Sequence, residues 1–155
     1  MSVKPFRVLL LDSHELSLKE IRATMSQYAD MEIVGEAAFV HDALEKASKL
    51  KPDIVLMEAM MPFSKETGIR LQIDAIETAF NIWQIDPKIK LMVFTTYSYR
   101  EFLGPLRKAG ISAWVFKEEP ISELHAAITA IKRGGTHFNE KTYQPLALFA
   151  EFEQL

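Results

Sequence analysis

Short runs of nearly unbroken apolar residues alternate along this chain with longer stretches in which apolar residues return every three or four positions. The short runs are Phe6–Leu11, Ile33–Gly35, Ile54–Met57, Leu91–Phe94 and Ala113–Phe116, rich in β-branched or aromatic side chains. A strand with one wet face alternates apolar with polar, so continuous runs suit strands covered on both faces, as in a parallel sheet. Between them, Leu16, Ile21 and Met25, with Leu18 and Ala23 beside them, mark a first helix. Ala43, Leu44 and Ala47 mark a second, and Ile121, Leu124, Ile128 and Ile131 a fifth. Gly134-Gly135 closes that last helix. Five strands separated by helices predict a doubly wound α/β domain.

Three stretches depart from this regularity. From Glu66 to Trp83 the chain reads as one long third helix, with Ile69, Ile73, Ile76, Phe80 and Trp83 at steps of four and three. Its second apolar row, Leu71, Ala75, Ala79 and Ile82, is either extra core or a partner surface. The fourth helix, SYREFLGPLRKAG over 98–110, carries Gly104-Pro105. A proline there removes a hydrogen bond and clashes with the preceding turn, so the helix is kinked or starts late. After Gly135 comes THFNEKTYQPLALFAEFEQL, in which Pro145 suits the first turn of a short helix with Leu148, Phe152 and Leu155 along one side. This divides the chain into a domain over 1–135 and a C-terminal extension over 136–155, which packs on the domain or on a second copy.

Composition narrows the function. The 155 residues suit one domain, with 48% hydrophobic and 25% charged residues, the profile of a globular rather than a disordered chain. There is no cysteine, hence no disulfide, zinc-finger spacing or thiol nucleophile. The N-terminal apolar run meets Asp12 too early for a secretory signal, and no segment approaches a bilayer span, so no membrane association and a cytoplasmic location are expected. A net charge of −3 and the lack of a basic helix give no reason to expect direct nucleic-acid binding from this chain. The four histidines, His14, His41, His125 and His137, show no metal-ligand spacing; His14 is expected to open the first helix and the others to lie on the surface.

Chemistry concentrates at the strand ends. In open α/β sheets, working groups gather beyond the carboxyl ends of the strands, where the strand order reverses. Here those residues are Asp12 and Ser13 after the first strand, Glu58 after the third, Thr95 after the fourth and Lys117 after the fifth. With strand order 2-1-3-4-5 they surround one crevice, in which acid, hydroxyl and ammonium make a phosphate- or cation-handling pocket.

The stretches RVLLLDSHE, MEIVGEA, KPDIVLMEAMMP, LMVFTTY, KAGISAWVFK and ELHAAITAIKRGG together resemble a response-regulator receiver domain of two-component signalling, most nearly those that precede a helix-turn-helix. The resemblance covers about residues 6–135. It implies a flavodoxin-like fold, a five-stranded parallel sheet with five flanking helices. It also implies two acids that hold Mg²⁺ at Asp12 and Ser13, a phosphoacceptor at Glu58, a phosphate-gripping hydroxyl at Thr95 and ammonium at Lys117, and a partly buried switch aromatic at Trp114. Two of these positions depart from the family pattern: Ser13 is not an acid, and Glu58 is not aspartate. What remains of the metal site is Asp12, Glu58 and Met60, so no cofactor and at most weak Mg²⁺ binding are expected.

The expectation is an atypical receiver, not an enzyme, that signals by binding rather than by phosphorylation. Its partner is another protein or a second copy, engaged through the fourth-helix, fifth-strand and fifth-helix face, the third helix or the tail. For Glu58 two arrangements stay open: an ion pair with Lys117, or a carboxylate pointing to water. The alternatives are a receiver of a transcriptional regulator still switched by Mg²⁺ and phosphate, and a metal-dependent hydrolase using Asp12 and Glu58. The hydrolase is the least supported, since no second base or positioned nucleophile is visible.

Overall fold

The computed structural model describes residues 4–96 and 108–138. Strands β1 (Phe6–Leu11), β2 (Met31–Ala37) and β3 (Ile54–Met57) are separated by helices α1 (Glu15–Met25) and α2 (Val40–Leu50). A small hairpin, β4 (Met60–Pro62) and β5 (Gln72–Asp74), precedes helix α3 (Ala75–Ile85). Strands β6 (Lys90–Thr95) and β7 (Ile111–Phe116), helix α4 (Ser122–Lys132) and the two-residue strand β8 (His137–Phe138) complete it. The main sheet has the order β2-β1-β3-β6-β7-β8, all parallel. This is the expected 2-1-3-4-5 order, extended at one edge by β8.

The continuous apolar runs are explained by burial on two sides. Leu9, Leu11, Val55 and Met57 face a layer containing Ala43 and Ala47 of α2 with Ala79 and Ile82 of α3. Their neighbours Val8, Leu10, Ile54 and Leu56 face the opposite layer, with Leu18 and Ile21 of α1 and Leu124 and Ile128 of α4. The alternation is the period of two expected of a strand, with both faces dry. Gly35 of β2 allows one close approach: a β-carbon there would sit 2.9 Å from the Leu50 side chain at the end of α2. Gly134 takes a positive φ of 87° just past α4 and donates to the Ile131 carbonyl, the chain stop read from the sequence.

The long third helix is corrected. Met60, Met61 and Pro62 pair antiparallel with Asp74, Ile73 and Gln72, and a short turn of 3₁₀ helix covers Gly68–Arg70. The helix begins only at Ala75, where the Asp74 carboxylate accepts the Glu77 N–H at 2.8 Å and caps it. Burial of Met61 and Ile73 against the α2–α3 layer holds the hairpin in place, and the Phe63 carbonyl accepts the His41 N–H. The kink at Pro105 and the C-terminal helix lie outside the described residues. Two histidines expected on the surface are half-buried: His125 stacks on Tyr28 at 3.6 Å between ring centroids, and His137 pairs with Glu123 at 3.1 Å.

Arg22 of α1 clasps Glu36 of β2 through two hydrogen bonds, Nε to Oε2 at 2.6 Å and Nη2 to Oε1 at 2.5 Å. These bonds hold the Glu36 carboxyl below its ordinary range. A carboxylate whose pKa is lowered by folding contributes stability above its unfolded value and loses it as pH falls through the folded one. Glu36→Gln is therefore destabilising at pH 7, and the difference from the wild type begins to narrow as pH falls below the ordinary carboxyl value and closes only once pH has passed the lowered folded value. Urea midpoints of the two proteins across this range test it; a gap that stays constant refutes the assignment.

Candidate functional site

The carboxyl ends of β1, β3, β6 and β7 meet at one crevice, and β1, β3 and β7 each deliver a backbone-fixed residue to it. Past β1, the Asp12 N–H bonds to the Ala37 carbonyl, so the side chain emerges on an extended backbone. Its Oδ1 accepts the His14 N–H at 2.8 Å, a turn that starts α1 with His14 at the N-cap. Past β3, the Glu58 N–H bonds to the Leu11 carbonyl at 3.0 Å, carrying the ladder one residue further. Past β7, the Lys117 N–H bonds to the Thr95 carbonyl at 2.8 Å.

Three charged side chains converge there. Lys117 Nζ lies 3.1 Å from Asp12 Oδ2 and 3.5 Å from Glu58 Oε1. It also sits over the Phe94 ring, 5.7 Å from its centroid, where the π face favours a cation. The second Glu58 oxygen accepts the N–H of Ala59 at 2.5 Å. Glu58 is 4% exposed, and both its oxygens have partners within the protein. The cluster is one ammonium shared by two buried carboxylates, a net single negative charge.

A cleft of about 430 Å³ opens above the cluster, lined by His14, Glu15, Leu16, Ser17, Glu58, Thr96 and Lys117. Of the residues singled out from the sequence, Asp12, Glu58 and Lys117 come together. Ser13 is exposed and not part of the cleft lining. Thr95 is fully buried at the end of β6, and the hydroxyl residues lining the cleft are its neighbour Thr96 and Ser17. Trp114 is not partly buried but 1% exposed, in the core layer beneath the site. Met60 is half-buried and tied into the β4–β5 hairpin opposite Asp74.

Sequence reasoning missed His14, whose Nδ1 lies 3.3 Å from Asp12 Oδ1. The signal was its place two residues after an aspartate at a helix start, the spacing of an Asx turn.

The donor set does not suit the Mg²⁺ that the resemblance implies. A hard cation prefers several free carboxylate oxygens. Here Asp12 spends one oxygen on the His14 amide and the other on Lys117, Glu58 is held by Ala59 and Lys117, and Ser13 supplies no charge. Among the described residues, one other group of potential metal ligands, His41, Asp42 and Glu45, lies exposed on α2. No helix among the described residues is long and apolar enough to cross a membrane.

Residues 8–129 match the family model of the response regulator receiver domain. The chain is 29% identical over 147 residues to the transcriptional regulatory protein MctR of Rhizobium johnstonii, covering 94% of this chain and 64% of that protein. It is 30% identical over 142 residues to the uncharacterized transcriptional regulatory protein YxjL of Bacillus subtilis, covering 92% and 61%. The chain thus spans roughly three-fifths of the length of these curated relatives. A LuxR-family two-component response regulator from Aurantimonas superposes with a TM-score of 0.81 at 26% identity, over 95% of this chain and 99% of that one. The isolated receiver domain of Salmonella RcsB, determined with a beryllofluoride phosphomimetic, superposes at 0.79 with 21% identity, over 91% and 98%, a likeness of fold alone.

Proposed function

The chain belongs to the response regulator receiver domain family, and from that membership we propose that it is the receiver part of a transcriptional regulator in which Glu58 occupies the phosphoacceptor position and phosphoryl transfer no longer sets the switch. A receiver is a signalling module rather than an enzyme in the usual sense. On this reading the module is cytoplasmic and acts by binding a protein partner or a second copy.

The observation that carries the proposal is the buried Glu58 carboxylate, engaged by Lys117 and by the Ala59 amide. In-line transfer needs its reacting atoms aligned closely, and a displacement of about 1 Å costs on the order of 10²-fold. Glutamate adds one methylene to the attacking arm. The ammonium meant for incoming phosphate oxygens is already divided between two carboxylates, and Ser13 removes a charged ligand from the metal. A second reading, a receiver still switched by Mg²⁺ and phosphate, is favoured by the retention of Asp12, Thr95 and Lys117 and by the regulators to which the chain is similar.

Incubation with acetyl phosphate and Mg²⁺, followed by intact-mass measurement, separates the two. The wild type remains unmodified, while Ser13→Asp with Glu58→Asp gains a phosphoryl adduct at a rate on the order of 10²-fold above background. A stoichiometric, base-labile adduct on Glu58 of the wild type overturns the proposal in favour of the second reading.

A further inference from the structure

We propose that His41, Asp42 and Glu45 form a surface site for a divalent cation of the zinc class on the first turns of α2. His41 Nδ1 lies 3.9 Å from Asp42 Oδ1 and 3.9 Å from Glu45 Oε1, and the three ligand atoms lie within 4.8 Å of one another. A separation of 3.9 Å is too long for a hydrogen bond, so the three groups face a common point without bonding to each other. It is close to what an ion needs. With bonds of about 2.0–2.2 Å, tetrahedral ligand atoms stand roughly 3.3–3.6 Å apart, and small turns of two exposed carboxylate arms close the difference.

Helix electrostatics do not account for the cluster. A first turn favours acids, which covers Asp42. Glu45 stands a turn later, four residues from His41 on the same face. Among the described residues no lysine or arginine pairs with either carboxylate, and Lys46 of the same helix donates instead to the Glu36 carbonyl. Four residues is the spacing by which a helix presents two ligands to one ion. A search for paired histidines passes over it, because here the second ligand is a glutamate.

The imidazole is held from a second element. The His41 N–H donates to the Phe63 carbonyl at 2.8 Å, and the ring meets the Phe63 ring edge to face, 5.8 Å between centroids at 81°. A ligand already fixed in place loses less freedom when an ion arrives. The donor set also selects the ion: a nitrogen ligand with two carboxylates suits Zn²⁺, Ni²⁺ or Cu²⁺, whereas Mg²⁺ and Ca²⁺ prefer oxygen alone. Three side chains leave a further coordination position to water. Because Phe63 follows β4, a bound ion ties the first turns of α2 to the hairpin that continues from Glu58 and Ala59. Neither the ligands nor Phe63 takes part in the cluster around Glu58, so the site does not depend on whether phosphate is taken up there.

Calorimetric titration of Zn²⁺ into the full chain, first stripped with a chelator, tests the site. The wild type binds one ion saturably and at least about tenfold more tightly than Mg²⁺. Losing a ligand costs no less than losing an outer partner of one, so His41→Ala and Glu45→Gln each weaken Zn²⁺ binding by at least about tenfold. Both side chains are exposed and the His41 backbone bond to Phe63 survives the change, so the variants keep the fold. Zn²⁺ also slows amide exchange at Met61 and Phe63 in the wild type and not in His41→Ala. An isotherm that neither variant moves overturns the proposal. So does Zn²⁺ that binds no more tightly than Mg²⁺, or Cu²⁺ broadening of amide resonances centred on His14, His125 or His137 instead of 41–45.

Discussion

Replacing Lys117 with methionine lowers the stability of the domain by about 3–5 kcal/mol, the cost of breaking a buried ion pair by removing one partner. Lys117 Nζ is the shared counter-charge for Asp12, at 3.1 Å, and Glu58, at 3.5 Å. The Lys117, Asp12 and Glu58 side chains are 14%, 1% and 5% exposed, so water does little to screen what is left behind. Methionine keeps the volume and the contact with Phe94 but leaves two carboxylates facing each other. Most of the loss is the penalty of these uncompensated charges, not the net worth of the pair. Adding Glu58→Met to the variant removes one of them, so the double variant recovers part of the loss, and the coupling between the two sites is of order 1–3 kcal/mol. Urea denaturation at pH 7 measures both effects. A Lys117→Met variant that loses less than about 1 kcal/mol places the three groups in solvent and refutes the buried cluster.

The same contacts explain how much of the site could be seen beforehand. Strand-end chemistry is legible because a parallel strand buried on both faces reads as an apolar run, and the first polar residue after it stands at the crevice. Asp12, Glu58 and Lys117 were found this way. The rule fixes position along the chain, not the direction of a side chain. It therefore does not distinguish Thr95, buried at the end of β6, from Thr96, which lines the cleft.

The third helix was misread for a related reason. Ile69 and Ile73 continue the three-and-four spacing of Ile76, Phe80 and Trp83, but Ile73 belongs to β5. Strands of three residues are too short to display a period of two, so Met60–Pro62 and Gln72–Asp74 carried no strand signal of their own. The helix start was nonetheless written in the chain, as Asp74 three residues before Glu77. The hairpin it ends is what fixes the backbone just beyond Glu58 and Ala59. β8 is shorter still, and no pattern of two residues announces a strand.

Trp114 carries the second large effect. It lies in the middle of β7, paired with Val93 and Phe138 on the neighbouring strands, and at 1% exposed it is among the largest fully buried side chains of the chain. A tryptophan buries some 150–250 Å², and at about 25 cal/mol per Å² that is on the order of 4–6 kcal/mol. Truncation also leaves a cavity in the layer between the sheet and the α2–α3 face, so Trp114→Ala costs about 3–5 kcal/mol. Trp114→Phe keeps an aromatic of smaller volume and costs less. The pair separates two roles for this position. An aromatic that swings outward as part of a switch sits in a site that tolerates its loss, whereas one that fills the core does not. Denaturation midpoints of Trp114→Ala, Trp114→Phe and the wild type should fall in that order, lowest first. An alanine variant within about 1 kcal/mol of the wild type would show that the ring leaves the core in solution, and the rigid floor beneath Lys117 and Glu58 would have to be abandoned.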